Sequence, residues 1–158
     1  MKTALIAMAN GTEDIEAITT LDILNRAGIK VTTASVTSDN TRMIRLSNGT
    51  VTICNMTIDE VCENYDIVIV PGGPGTKTLA SSEKLITILK KQKDEKRHVA
   101  AIWAAPGVVL FNKGIIDNGT VMAGFPGTEN GYDNFTDKGV EVSGNGYIIT
   151  GRAPEYTM

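Results

Sequence analysis

The chain has 158 residues, of which 42% are hydrophobic and 21% charged, and its formal net charge is -3. This length and composition predict a single globular domain over residues 1–158 with a full hydrophobic core. The sequence has no basic stripe of the kind that binds nucleic acid, and it has no run of about 18 apolar residues that could span a membrane.

Strand and helix patterns alternate from the beginning of the chain. Residues 3–8 form a continuous apolar run, which is typical of a strand buried on both faces of a parallel sheet. Thr12 is predicted to cap a helix that Gly28 ends, and a strand rich in Val and Thr follows over residues 29–36. The apolar residues expected on the inner face of the helix are Ile15, Ile18, Leu21 and Leu24.

The middle of the chain departs briefly from this alternation. Two short stretches of alternating polarity within residues 41–54 flank Asn48-Gly49, which predicts a small antiparallel hairpin. A buried strand is predicted over 66–70, and a helix is predicted to begin at Ser82. The remaining predicted elements are a short helix over 58–63, a strand over 99–103, a helix over 106–112, and short strands over 121–123, 140–142 and 147–150.

Strands that alternate with helices predict right-handed crossovers and a doubly wound, mostly parallel α/β sheet with helices on both faces. Ligands of such sheets bind beyond the carboxyl ends of the strands. Three predicted loops lie at that edge, over residues 10–16, 71–75 and 103–106. We therefore expect a functional site where these loops meet.

The third loop has the sequence pattern of a nucleophile elbow, the tight strand-to-helix turn that exposes a reactive side chain. Such a turn needs small residues two positions before and after the central residue, and Ala101 and Ala105 flank Trp103 at this spacing. Pro106 suits the first turn of the following helix. An apolar strand that runs into a helix without a special turn is an equally good interpretation of these residues alone.

Two further features could complete a site around the elbow. Gly72 and Gly73 follow a buried strand, where glycines let backbone N–H groups approach an oxyanion, although such a pair is more often only a turn. Glu16 lies one helical turn beyond the first loop, where a carboxyl group could exchange a proton with a nucleophile. In isolation, an exposed helix acid is the more common interpretation of Glu16.

Taken together, three motifs resemble the ThiJ/PfpI superfamily: GTEDIEA at 11–17, YDIVIVPGG at 65–73 and AAIWAAP at 100–106. Within that superfamily the chain is similar to the branch of Parkinson disease protein 7 and bacterial YajL, which RAGIKVT at 26–32 also resembles. The resemblance extends from Lys2 to about Pro154. It implies a flavodoxin-like fold, a homodimer, no cofactor, and activity on small carbonyl substrates such as glyoxals, or on glycated amines and thiols.

The resemblance also implies roles for individual residues. Glu16 matches the protonated glutamate that assists a cysteine nucleophile, and Trp103 occupies the position of that cysteine. The positions that match the oxyanion and substrate-binding part of the family site are Gly72, Gly73, Ala104 and Phe125. Relatives are further linked to oxidative-stress sensing and chaperone activity, which makes a non-catalytic dimeric module the alternative function.

The sequence departs from the family pattern at the nucleophile. An indole cannot form the covalent intermediate, so the chain is predicted to be inactive in cysteine chemistry. The substitution is either a natural loss or a deliberate change. We expect the indole of Trp103 to fill the pocket and donate its N–H to Glu16, rather than to push the turn out of its strained conformation.

The chain also ends at Met158, whereas relatives continue into a helix that covers the sheet, so apolar sheet surface is expected to be exposed or covered by a partner.

The other reactive side chains give weaker signals. Cys54 matches a second, non-catalytic cysteine of some relatives near their dimer interface, and Cys62 lies in a predicted short polar helix. His98 is the single histidine, so no metal site is expected. Two cysteines without a signal peptide predict a reducing, cytoplasmic location.

Overall fold

Strands and helices alternate along residues 1–128 and 131–154, which the computed structural model describes. The strands are β1 (Thr3–Met8), β2 (Lys30–Ser35), β3 (Met43–Arg45), β4 (Val51–Ile53), β5 (Met56–Thr57), β6 (Ile67–Val70), β7 (His98–Ile102), β8 (Met122–Ala123), β9 (Phe135–Thr136), β10 (Val140–Ser143) and β11 (Ile148–Gly151). The helices are α1 (Asp14–Arg26), α2 (Thr76–Ser81), α3 (Glu83–Asp94), a π-helix (Pro106–Phe111) and two 3₁₀-helices (Ile58–Glu60 and Gly144–Gly146).

Among the described residues, the main sheet has the strand order β10-β11-β7-β6-β1-β2-β5. All neighbours in it are parallel except β10 and β11, which pair antiparallel. The five central strands taken in chain order give the arrangement 2-1-3-4-5, which defines the flavodoxin-like fold. The doubly wound α/β prediction is therefore confirmed, and the carboxyl ends of β1, β6 and β7 meet at one edge.

Two buried clusters lie on opposite faces of the sheet because successive side chains of β1 alternate between them. Leu5 and Ala7 belong to the cluster that packs against α3 and the π-helix. Ala4 and Ile6 belong to the cluster that packs against α1 and the hairpin. This arrangement fixes the helices on both faces of the sheet.

The hairpin formed by β3 and β4 lies within the predicted stretch, and its turn is attached to the beginning of α1. The Asp14 carboxylate accepts hydrogen bonds from the Asn48 N–H at 2.7 Å and the Ser47 hydroxyl at 3.2 Å. Burial alone would raise the pKa of Asp14, but the hydrogen bonds from Thr50, Asn48 and Ser47 together outweigh it and hold that pKa below its usual value. The turn therefore supports the first turn of α1, which carries Glu16.

One expectation for α1 was wrong, and a second was correct only in part. The N-cap is Glu13, whose carboxylate accepts from the Glu16 N–H at 2.8 Å, whereas the Thr12 hydroxyl accepts from the Ala9 N–H. The predicted inner face is confirmed at Leu21 and Leu24, which are partly buried against the core, and is wrong at Ile15, which is 56% exposed, and at Ile18, which is exposed too. The residues of α1 that the structure buries are Glu16 and Ala17.

Several short elements carried no clear sequence signal. Helix α2 and the two-residue strands β5 and β9 were not predicted, and the predicted 58–63 helix is a single 3₁₀ turn. The helix predicted over 106–112 is a π-helix, in which the Asn112 N–H donates to the carbonyl of Gly107, five residues earlier.

Part of the sheet face near the carboxyl-terminal half of α1 forms an open groove of about 290 Å³. Its lining includes Leu24, Ile67, Ile69 and Ile149. No helix within the described residues is both long enough and apolar enough to cross a membrane.

Candidate functional site

The chain turns sharply where β7 ends, and Trp103 has a φ of +59°. This left-handed conformation is strained for a residue with a side chain and costs about 1–2 kcal/mol. Two backbone hydrogen bonds hold it, because the Trp103 N–H donates to the Gly151 carbonyl at 3.0 Å and the Trp103 carbonyl accepts from the Phe125 N–H at 2.8 Å. The turn thus keeps the strained form that a nucleophile elbow requires.

The Trp103 side chain lies against Gly72. A Cβ atom added to Gly72 would be 2.7 Å from Trp103 Cβ, 2.9 Å from Trp103 Cε3 and 2.8 Å from Glu16 Oε2. Only a glycine therefore fits at position 72, and the side chains of Trp103 and Glu16 converge on it. The indole contacts Gly72, whose N–H is also hydrogen-bonded to Glu16 of α1.

Glu16 is buried, with 1% of its surface exposed, which excludes the interpretation of an exposed helix acid. Its Oε2 accepts a 2.6 Å hydrogen bond from the Gly72 N–H, and its Oε1 is buried without a hydrogen-bond partner in the described part of the chain. The expected bond from the indole N–H to Glu16 is therefore wrong. The indole lies over Gly72 instead, and the Gly72 N–H donates to one of the two carboxyl oxygens of Glu16.

Burial raises the pKa of Glu16 from 4.5 to about 7. The Gly72 hydrogen bond opposes this shift, and the nearby charge of Glu13 adds to it. Near neutral pH a large fraction of Glu16 is thus protonated, and Oε1 can carry that proton. The group is suited to donate a proton to a ligand that occupies the space now held by the indole.

The glycine-rich loop over 71–75 is fastened to the loop that precedes α1. The Gly72 carbonyl accepts from the Glu13 N–H at 3.0 Å, and the Gly75 N–H donates to the Gly11 carbonyl at 2.9 Å. Gly73 has a φ of +92°, and a Cβ there would be 2.6 Å from backbone atoms of both Glu13 and Gly11. These contacts fix the position of the loop relative to Glu16.

Two backbone N–H groups beside the elbow are available as donors. Among the described residues, the N–H groups of Gly73 and Ala104 have no hydrogen-bond acceptor. They flank Gly72 and Trp103 respectively, the two residues that contact each other. A pair of free N–H groups in such a place can stabilise an oxyanion.

Phe125 forms the outer wall of the site. Its ring centroid lies 5.5 Å from that of Trp103 at an interplanar angle of 72°, which is an edge-to-face contact. The Phe125 side chain is 41% exposed. The structure therefore brings together all six predicted site residues, Glu16, Gly72, Gly73, Trp103, Ala104 and Phe125.

The backbone of Gly151 also belongs to the site, although nothing in the sequence pointed to it. Its carbonyl accepts from the Trp103 N–H, and a backbone carbonyl leaves no motif in the sequence. The other candidate side chains lie elsewhere: Cys54 is buried and its pKa is raised to about 11 by that burial, while His98 stacks on Tyr147 at 5.6 Å. Over the described ranges, no three His, Cys, Asp or Glu side chains could hold a metal ion.

Comparison with sequence families gives a match over nearly the whole chain. The model of the DJ-1/PfpI family matches residues 2–158.

Two curated relatives illustrate how much of the chain is shared. Protein DJ-1 homolog B of Arabidopsis thaliana is 33% identical over 95% of this chain, which spans only 34% of that longer protein. The protein named glutathione-independent glyoxalase DJR-1.2, of Caenorhabditis elegans, is 31% identical over 97% of this chain and 81% of its own length.

The architecture is also similar to that of solved structures. The structure titled Toxoplasma gondii DJ-1, oxidized, superposes with a TM-score of 0.91 at 31% identity, and the match covers 99% of this chain and 85% of the other.

Proposed function

The chain belongs to the DJ-1/PfpI family, and from this premise we propose that it is a member of the glyoxalase or protein deglycase type with Trp103 at the nucleophile position. An indole cannot form a covalent adduct with a carbonyl carbon, so the chain as it stands is inactive toward glyoxals and glycated amines or thiols. The observation that carries the proposal is the left-handed Trp103 turn against Gly72, beside the buried Glu16.

The other parts of the site support a carbonyl substrate. The free N–H groups of Gly73 and Ala104 can bind the oxygen that becomes negative when a carbonyl carbon is attacked. Glu16, with its pKa raised to about 7, can supply the proton that neutralises it. In this proposal the site retains both the oxyanion donors and the acid, and it lacks the nucleophile.

Restoring a thiol is expected to restore activity. The Trp103→Cys variant should consume methylglyoxal at least about 100-fold faster than the unmodified chain, since nucleophile and acid would then act together. The matched control is Trp103→Ser, which also removes the indole but supplies no thiol. Methylglyoxal loss is followed spectroscopically at equal protein concentrations, with hydrolytic background subtracted.

Each outcome of this assay has a distinct meaning. Activity confined to Trp103→Cys supports the enzyme proposal, and equal activity in Trp103→Ser would show that a thiol is not required. Robust activity in the unmodified chain would contradict the role assigned to position 103. No activity in any of the three would favour the alternative, a non-catalytic dimeric chaperone or oxidative-stress sensor module.

One observation favours a role in association. The apolar patch, defined as Ile15, Ile18, Met43, Val51 and Ile53, is exposed on α1 and the hairpin, and Ile53 is 73% exposed. The two elements are joined by the hydrogen bonds of Asp14 to the hairpin turn. A group of exposed apolar side chains on two joined elements is typical of a protein–protein interface.

We propose that the apolar patch is the interface of a homodimer. At micromolar concentration the chain should sediment as a dimer, and the double variant Ile15→Lys, Ile53→Lys should sediment as a monomer, because two buried charges would oppose association. The control is Val142→Lys, which places a charge at another exposed apolar residue, on β10. A monomeric unmodified chain, or a dimer that survives the double variant, would contradict the proposal.

We also propose a cytoplasmic location. Cys54 and Cys62 are both unpaired, which fits a reducing compartment.

A further inference from the structure

A second cavity lies away from the elbow, between the segment 61–65 and α3. Its volume is about 170 Å³. None of its lining residues belongs to the site around Trp103, so it is independent of the proposed function. The lining residues that matter for its chemistry are Cys62, Glu63, Lys84, Ile88, Lys91 and Arg97.

The lining of this cavity has an excess of positive charge. Lys84, Lys91 and Arg97 line it, against the single acid Glu63, although the chain as a whole carries a net charge of -3. The Lys84 ammonium group has no ion pair or hydrogen bond with any residue that the structure describes. The excess of positive charge is therefore confined to the lining of this cavity, and it includes the unpaired ammonium group of Lys84.

Arg97 adds a donor that lacks an acceptor. Its Nε is buried without a hydrogen-bond partner among the described residues, while the other end of its guanidinium pairs with Glu95. Lys91 is partly engaged, by Asn64 at 3.1 Å and by Glu95 at 3.9 Å. Leaving a buried donor without an acceptor costs about 1–3 kcal/mol, so an anion in the cavity that accepted this bond would gain affinity.

Part of the cavity lining is apolar. Val61 and Val68 are buried, and Ile88 contributes a partly buried side chain from α3. A ligand that matches this lining combines a compact apolar body with an anionic group directed toward the cationic side chains. We propose that this cavity is a binding site for a small organic anion, namely a carboxylate on an apolar or aromatic body.

The proposal is tested with benzoate, benzamide and benzylammonium, which share a ring and differ in charge. Titrations of the ¹⁵N-labelled chain should give benzoate a Kd at least about tenfold below that of benzamide, because a hydrogen bond to a charged group is worth this much. The shifted amides should lie in segment 61–65 and α3. Bound benzoate should also slow alkylation of Cys62, which is exposed, whereas Cys54 is buried.

Three variants decide whether the cavity itself is the site. Lys84→Gln and Arg97→Gln should each weaken benzoate binding about tenfold and leave benzamide binding unchanged. Ile88→Trp, which fills the cavity without changing charge, should abolish both. The control, Lys30→Gln, removes an exposed lysine outside the cavity and should bind as the unmodified chain does.

The proposal fails if benzoate binds no more tightly than benzamide, if Lys84→Gln binds like Lys30→Gln, or if the shifted amides lie elsewhere. Since Lys84 is on the surface of α3, its variant is not expected to disturb folding even where Arg97→Gln does.

Discussion

Gly73→Ala is expected to lower the free energy of unfolding by about 2–5 kcal/mol. A left-handed φ of +92° costs a residue with a side chain about 1–2 kcal/mol. In addition, the new Cβ would be 2.6 Å from the Glu13 nitrogen and the Gly11 carbonyl oxygen, and collisions with backbone atoms cost about 1–3 kcal/mol more. Urea denaturation at 25 °C, followed by circular dichroism, measures the change.

Gly127→Ala is the matched control. Gly127 has a φ of +91°, but an added Cβ meets nothing within 4 Å. Gly127→Ala should therefore lower the free energy of unfolding only by the cost of the left-handed conformation, about 1–2 kcal/mol. Equal losses in the two variants would mean that the glycine loop over 71–75 is not fastened against the residues before α1.

Raising the pH from 4.5 to above 7 is expected to remove about 3 kcal/mol of stability through Glu16 alone. Burial raises the pKa of Glu16 to about 7 in the native chain, whereas 4.5 is its usual value. The native state thus holds a proton that the unfolded chain releases. The stabilisation is fully present below pH 4.5 and is lost as the pH rises through 7, at about 1.4 kcal/mol for each pH unit between the two pKa values.

The measurement compares the unmodified chain with Glu16→Gln between pH 5 and 9. Glutamine keeps an oxygen for the Gly72 N–H but cannot ionise. The difference in the free energy of unfolding between the two proteins should therefore change with pH by most of the about 3 kcal/mol attributed to Glu16. Asp14 and Glu60 have lowered pKa values and therefore remain ionised over this range in both proteins. A difference that does not vary with pH would contradict the buried, protonated state of Glu16.

The sheet was predictable because its strands carry strong local signals. Strands β1 and β6 are unbroken apolar runs, and the glycines and small residues that follow β6 and β7 mark where the chain must turn. Short elements were not predictable in this way. Helix α2 has six residues and no side-chain cap, and strands of two residues are too short to show any periodicity.

The error in α1 has a physical cause. Its apolar residues repeat with helical spacing, which we interpreted as a core-facing stripe. Leu21 and Leu24 do pack against the core, but in the first half of the helix Glu16 and Ala17 are buried in place of Ile15 and Ile18. Hydrophobic periodicity predicts that a helix has an apolar face. It does not show whether the protein's own core or another surface buries that face. In α1 the periodic face includes Ile15 and Ile18, which belong to the apolar patch.

The candidate site was predictable in its side chains and not in its backbone. Small residues around position 103 and the paired glycines indicated the turn and the loop. The bonds that hold the turn run through the Gly151 carbonyl and the Phe125 N–H, which are backbone groups that nearly every residue type carries. The partner of Glu16 was mistaken for the same reason, because the Gly72 N–H that binds it has no sequence signal.

The most direct test of a shared site is the fluorescence of Trp103, the single tryptophan, as a function of pH. Trp103 and Glu16 meet at Gly72, so ionisation of Glu16 should change the indole emission with a midpoint near pH 7. Glu16→Gln should show no such transition. An emission spectrum that is constant between pH 5 and 9, or a transition that persists in Glu16→Gln, would contradict the assignment of Trp103 to the elbow beside Glu16.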